Sequence, residues 1–402
     1  MNKKILFIDH DAYNSGSTVS MNYLIEKFIS EGNQVFVLTP KDYSNSKEYL
    51  NENIKITRFK SIFMKSFTLD LHFTENTSIS SLQGWIKIIK NIIKFIVGLK
   101  FTFNTVKNIK PDLIYVNEYV VIQSSLVGYY LNIPTVIHVR SRFINGMFGI
   151  RRYLISRAIV KYNDLIFPIT EQEKIQLYIK KHEENKVKVV GEFLNQKNFI
   201  IEKNINELKS SFMIPDKVKV VLMLGGILKI KGTLDFLQAA QKVIEVNQNV
   251  FFIIAGKEIN NSLEEKKYFD NCILIINSEH NKKYFRWTGT INNPEELIFC
   301  SDILISPQTE SHFSRPTIEA WALKKPVISY RNPHAENLIN DKIDGLLIEN
   351  GNYLELSKAI LQLLNDQSYS SFLGSNGYKK TIKYYNSENT LNKIYNYCIS
   401  IT

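Results

Sequence analysis

Short apolar runs alternate with stretches of helical spacing twice along this chain. Runs without polar alternation suit parallel strands covered on both faces, so the pattern predicts two series of βαβ units and an α/β protein. In the first series the runs predict strands at 5–9, 34–39, 54–59, 113–117, 135–139, 165–168 and 187–190. In the second they predict strands at 218–224, 250–255, 272–276, 303–306, 326–330 and 345–348. The chain turns polar over 195–208, which predicts a linker, so the expected domains are 1–195 and 209–385. A tail over 386–402 carries Leu391, Ile394, Tyr395 and Cys398 at helical spacing and predicts a terminal helix with an apolar stripe.

In open parallel sheets ligands bind beyond the carboxyl ends of the strands, so the loops after strands are where chemistry is expected. Four stand out, at 9–18, 138–143, 225–232 and 308–315, two from each half, which makes a cleft between the halves the expected site. The stretch L-I-S-P-Q-T-E-S-H-F-S-R-P-T-I-E-A-W-A-L-K-K-P-V-I-S reads strand, polar loop, helix, strand. Ser314 is a suitable N-cap, Pro316 is tolerated in a first turn, Ile318, Ala322 and Leu323 keep helical spacing, and Pro326 stops it. Glu310, Ser311, His312 and Arg315 thus fall over a helix N-terminus, where unpaired amides and the helix dipole suit an anion. The alternative is an ordinary strand-to-helix turn. The loop G-G-I-L-K-I-K-G at 225–232 follows a strand and precedes a helix; its glycines allow close approach of a ligand and Lys231 supplies a point charge. It lacks the spacing of a Walker loop.

The 402 residues are enough for two domains, and 44% hydrophobic content supports a globular protein. The opening apolar run is too short for a signal peptide, and Cys272, Cys300 and Cys398 lack metal-ligand spacing, so reduced packing cysteines and a cytoplasmic location are expected. A net charge of +11 favours an anionic partner, yet lysine is spread along the whole chain. No nucleic-acid-binding motif accompanies it, which argues against that partner. The segment 84–110 places Lys87, Lys90, Asn91 and Lys94 on one helical face and Ile88, Ile89, Ile92, Ile93 and Ile96 elsewhere. Lysines interrupt it too often for a membrane span; it suits peripheral contact with an inner membrane face, or a domain helix with a solvated basic face.

The ordered segments G-G-I-L-K-I-K-G, F-F-I-I-A-G-K, W-T-G-T-I, S-D-I-L-I-S-P, F-S-R-P-T-I-E-A-W-A-L-K-K-P-V-I and E-N-L-I-N-D-K-I-D-G-L-L-I resemble the retaining nucleotide-sugar glycosyltransferases of family four. P-D-L-I-Y-V-N, N-I-P-T-V-I-H-V-R, D-L-I-F-P-I-T-E and K-V-K-V-V-G-E-F-L-N resemble its N-terminal segments less specifically. The resemblance implies the GT-B fold: an N-terminal acceptor-binding and a C-terminal nucleotide-sugar-binding Rossmann-like domain facing a cleft, with the terminal helix packing back on the first. It implies sugar transfer from a nucleoside diphosphate, UDP by family precedent, to a hydroxyl of a glycan or lipid-linked acceptor in cell-surface polysaccharide or glycolipid assembly. Anomeric configuration would be retained, and neither metal nor cofactor would be needed.

Carried over residue by residue, the resemblance assigns Lys231 to the donor diphosphate, Glu319 to the ribose, Gly16 to the first loop near the diphosphate, and the backbone of Thr290 and Ile291 to the base. Gly225, Gly226, Ser311, His312, Phe313 and Ser314 complete the expected donor site. Lys231, Arg315, Glu310 and His138 are the expected catalytic groups, with His10, Asn117 and Arg140 on the acceptor side. Departures accompany the matches. Gly226 stands where the family has an arginine, so Arg315 is the expected replacement; its alternative is a surface arginine bound to a neighbouring carboxylate. Ser311 stands at the first glutamate of the family motif, with Glu310 one residue early. The family's histidine falls on Arg140, with His138 two residues back, and Asn332-Pro333 replaces a glycine pair. These changes also suit a non-catalytic GT-B subunit that binds a partner transferase or glycan. A nucleotide-sugar epimerase is disfavoured because its paired acidic residues are not seen.

Overall fold

The computed structural model describes residues 2–10, 16–40, 54–61, 64–69, 71, 82–143, 145, 149–258 and 262–402. Contacts divide the chain into one unit of Met1–Phe193 with Ser387–Thr402 and a second of Leu194–Asn386.

The first unit runs β1 (Lys4–Ile8), α1 (Gly16–Ser30), β2 (Gln34–Thr39), β3 (Ile54–Arg58), α2 (Leu82–Ile109), β4 (Leu113–Asn117), α3 (Gln123–Tyr130), β5 (Thr135–Val139), α4 (Ile150–Tyr162), β6 (Leu165–Pro168) and α5 (Glu171–Ile175). Its strands form a parallel sheet in the order β3-β2-β1-β4-β5-β6. Alternate strand residues point to opposite faces. Leu6, Ile8, Ile114, Val116, Ile137 and Val139 pack with α2, α3 and α4, while Ile5, Phe7, Leu113, Tyr115, Val136 and Phe167 pack with α1. The edge strand β3, with its Lys55, Thr57 and Arg58, has no fully buried residue, as an edge that must not recruit another strand should be.

The second unit runs α6 (Ile205–Ser211), β7 (Lys219–Leu224), α7 (Thr233–Val246), β8 (Val250–Ala255), α8 (Leu263–Asn277), β9 (Phe285–Trp287), α9 (Pro294–Cys300), β10 (Ile303–Ser306), α10 (Arg315–Ala322), β11 (Val327–Tyr330), α11 (Pro333–Leu338), β12 (Leu346–Ile348), α12 (Tyr353–Asn365) and α13 (Gln367–Tyr384). Its parallel sheet has the order β12-β11-β10-β7-β8-β9. The last helix, α14 (Ser387–Ile399), belongs to the first unit, where Ile394 and Cys398 are buried and Tyr395 packs edge-on against Phe28 of α1. All three cysteines are free and buried.

Three predicted elements differ. The run C-I-L-I-I at 272–276, expected as a strand, is the last part of α8. The Ser262 hydroxyl caps that helix, and only Cys272 and Ile276, four residues apart, are buried while Leu274 points outward. The strand in that place is the three-residue β9, too short to be seen as a pattern. At 187–190 no strand forms; Val187 makes one bridge to Ile166, and the amides of Lys188 and Val190 bond to β6 carbonyls. The expected linker at 195–208 is built into the second unit, because Leu194 and Leu208 are buried in its core between polar neighbours.

Candidate functional site

In both sheets the connection reverses direction once, between β1 and β4 in the first and between β7 and β10 in the second. At such a reversal neighbouring loops leave in opposite directions and open a crevice at the strand ends.

In the second unit the crevice is bounded by the loops after β7 and β10. Gly226 has φ +80°, and a Cβ there would lie 2.1 Å from the Lys257 carbonyl oxygen, so only glycine lets the ends of β7 and β8 approach this closely. Gly225 leaves room for the Lys231 side chain, whose Cδ and Cε would be 3.2 Å from a Cβ. The Thr309 amide donates to the Ile230 carbonyl at 3.1 Å, which ties the two loops together. Lys231 Nζ then meets His312 Nε2 at 2.6 Å, while His312 Nδ1 lies 3.2 Å from the Glu310 carbonyl. Because a carbonyl can only accept, Nδ1 carries the proton and Nε2 accepts from the ammonium. Burial, then the neighbouring Lys231 charge, lowers the His312 pKa to about 3, so the ring is neutral. Burial lowers the Lys231 pKa to about 8.

The remaining residues of this loop divide by role. Ser314 occupies the N-cap position of α10 but does not cap it with its side chain. Its hydroxyl instead bonds Ser306 Oγ at 2.9 Å and accepts from Thr317 Oγ1 at 3.0 Å, tying the turn back to β10. Arg315 Nε donates to Glu319 Oε1 at 2.8 Å along α10, so the arginine expected at a diphosphate is paired with the glutamate expected at a ribose. Glu310 is exposed, and Phe313 is partly covered, its ring centroid 6.3 Å from that of Tyr385. Thr290 is exposed and Ile291 packs on the core, just after the Gly289 carbonyl that accepts from Gly256 at 2.8 Å.

Sequence reasoning missed His334. Its Nδ1 lies 2.7 Å from Ser311 Oγ, and its amide lies 3.3 Å from the same oxygen. The signal was available: Asn332-Pro333 after a strand reads as a capped helix start, and Asn332 Oδ1 does accept from the amides of His334 and Ala335.

The crevice of the first unit is built differently. Asn117, at the end of β4, donates to Asp9 Oδ1 at 3.1 Å, and its carbonyl meets His10 Nδ1 at 3.0 Å. Arg140 extends from the end of β5 and bonds Asn117 Oδ1, Glu192 Oε2 and His138 Nδ1 at 3.1, 2.9 and 3.2 Å. Its side chain is 6% exposed, as is that of Glu192. His138, expected as a catalytic group, is fully buried in the sheet. Its Nδ1 faces both the Tyr115 hydroxyl, at 2.7 Å, and the Arg140 guanidinium, so it accepts and the ring proton sits on Nε2. Burial and the Arg140 charge hold its pKa well below the usual value. The structure thus places the Nδ1 lone pair of His138 against Tyr115 and Arg140 inside the core. Arg140 and Asn117 are part of the same buried network. Glu118 sits at φ 89° and binds the amides of Tyr119 and Arg140 and the Ser141 hydroxyl, fixing the β5 loop; burial raises its pKa. Gly16 is the exposed first residue of α1, while residues 11–15 of the expected first loop lie outside the described residues. Glu192 gave no local signal, being 52 positions from Arg140.

This fold is found in a solved glycosyltransferase of Rickettsia africae, with a TM-score of 0.73 at 16% identity over 100% of this chain and 98% of that one. HepE of Anabaena, solved in complex with UDP-glucose, superposes with a TM-score of 0.77 at 15% identity over 99% of this chain and 100% of that one. The chain has the GT-B fold. Residues 204–380 match the family described as glycosyl transferases group 1. The capsular polysaccharide biosynthesis glycosyltransferase CapM of Staphylococcus aureus is 24% identical over 264 residues, 64% of this chain and 67% of that protein. The N-acetyl-alpha-D-glucosaminyl L-malate synthase of Bacillus anthracis is 21% identical over 203 residues, half of each chain.

Proposed function

We propose that the protein transfers a sugar from a nucleoside diphosphate, UDP for preference, to a hydroxyl of a glycan or lipid-linked acceptor, in the cytoplasm and with retention of anomeric configuration. The observation that carries this reading is the contact between Lys231 and His312 at the reversal point of the second sheet. An ammonium has three donors, and one of Lys231's is directed at His312. A neutral partner orients the cation without cancelling it, which suits a group that must meet charge developing on a departing diphosphate. The relatives' names support transferase chemistry, and the bound UDP-glucose of HepE supports the donor class.

In this mechanism Lys231 neutralises the leaving diphosphate without a metal, and Gly225 and Gly226 allow it to lie close to the backbone. Arg315 holds Glu319 in place for the ribose hydroxyls and shares its positive charge with the diphosphate at the start of α10. Ser311, fixed by His334, and Glu310 bind hydroxyls of the donor sugar. Thr290 and Ile291 flank the base, with Phe313 and Ser314 shaping the turn. Of the residues assigned to the acceptor, His10 keeps exposed surface, its side chain being 15% exposed. A second reading, donor binding without transfer, is favoured by the burial of His138 and Arg140 in their own network.

A thermal-shift series of nucleoside diphosphates and their sugars tests the donor site. A ligand at 100 times its Kd should stabilise the fold by about 2.7 kcal/mol, and a flat response across the series would remove the proposal. UDP release with and without candidate acceptors then separates transfer from binding alone, and the anomer of the product decides retention.

A further inference from the structure

Three helices, α2, α3 and α4, cover one face of the first sheet. Five lysines on α2 and four arginines and lysines on α4 are accompanied by no Asp or Glu on any of the three. Helix α2 also changes character along its length. In its first half Trp85, Ile86, Ile89, Ile92, Ile93 and Ile96 are each 43–58% exposed. At 100° per residue these six fall within one third of the helix circumference, turned away from the core side marked by the buried Gly98, Thr102 and Val106. Lys87, Lys90 and Lys94 lie along one flank of the stripe. From residue 100 onward the same outward face carries Lys100, Asn104 and Lys107, as a solvated helix should. Six large apolar groups gathered on one exposed stripe with a charged flank are the pattern of an interaction surface.

The occupant is constrained by charge and by length. No helix among the described residues is long and apolar enough to cross a membrane. A second copy docked by a two-fold axis would bring these basic helices, which carry no Asp or Glu, against themselves, with lysine facing lysine. An anionic bilayer surface satisfies both halves of the pattern, taking apolar side chains into the acyl boundary and lysines at the head groups. We propose that the first half of α2 docks the protein on an anionic lipid bilayer, with the six apolar side chains entering the interface and Lys87, Lys90 and Lys94 binding head groups. This goes beyond the proposed transfer reaction and does not depend on it.

The test uses the full chain with vesicles of phosphatidylcholine alone or mixed with phosphatidylglycerol. Co-sedimentation should require the anionic lipid. Trp321 is buried and Trp287 partly covered, so a vesicle-induced blue shift in tryptophan emission should come from Trp85 and vanish in Trp85→Phe. Replacing Lys87, Lys90 and Lys94 together by Glu should weaken partitioning by about a hundredfold or more, from roughly fivefold per lysine. Replacing Ile89, Ile92 and Ile96 together by Ser should also abolish it, while Lys358→Glu on α12 should leave it unchanged. No binding to anionic vesicles, binding that survives both triple variants, or a wild-type dimer that the triple serine variant dissociates would each overturn the proposal. If a triple variant loses thermal stability, the Trp85 shift decides alone.

Discussion

The two sheets share a strand order and a reversal point, yet they treat positive charge at that point in opposite ways. In the first, Arg140 bonds Glu192, Asn117 and His138, and its charge is neutralised inside the unit. In the second, Lys231 meets a neutral imidazole and has no ion pair among the described residues. One crevice therefore uses its cation to hold its own strand ends together, and the other, in the proposed function, keeps a cation for an anionic ligand. Equal topology thus supplies equal places without equal chemistry.

The largest effect should come from breaking the closed network. Arg140→Met removes the guanidinium that pairs with the buried Glu192 carboxylate and should cost about 3–5 kcal/mol of stability, measured by urea unfolding; a loss under about 1 kcal/mol would mean that the pair is not the anchor described here. Lys231→Ala should spare the fold and reduce turnover about 10²–10³-fold, with the UDP thermal shift lost. Unchanged donor binding in that variant would erase the contrast between the two crevices. Gly226→Ala forces a Cβ toward the Lys257 carbonyl at positive φ and should destabilise by more than about 1 kcal/mol, read as a lowered Tm.

A pH series sharpens the same contrast. Only protonated Lys231 attracts a diphosphate, so UDP affinity should fall as pH rises through about 8, and Lys231→Arg should shift that fall to higher pH. The sign for folding is opposite. A lysine whose pKa is lower folded than unfolded binds fewer protons in the native state between about 8 and its ordinary value, so its contribution to stability improves as pH rises through that window. The smallest effect is expected of Ser311→Ala, which removes the hydroxyl bonded to the His334 ring and amide and should cost about 0.5–1.5 kcal/mol in donor binding or stability.

Much of the fold could be read because parallel strands buried on both faces leave long apolar runs, as at 113–117 and 135–139, which form β4 and β5 without adjustment. The run at 272–276 misled because a short apolar stretch is compatible with either period, and its helical start lay upstream at Ser262. In the second unit Lys231, His312 and Ser311 could be singled out as types in loops after strands. Their partners could not, since Lys231 and His312 are 81 positions apart and Ser311 and His334 are 23 apart.

The sequence by itself determined the two doubly wound sheets, the strand-end loops and the presence of a lysine, an arginine and a glutamate in the second of them. Local periodicity and turn chemistry depend on neighbours in the chain, so they survive in one dimension. Tertiary structure decided which charges are spent. His138 became a buried acceptor for Tyr115 and Arg140, Arg315 was paired with Glu319, and Lys231 was left with a neutral neighbour. Burial and partner identity fix the protonation and availability of such groups, and both are set by residues brought together only when the sheets form.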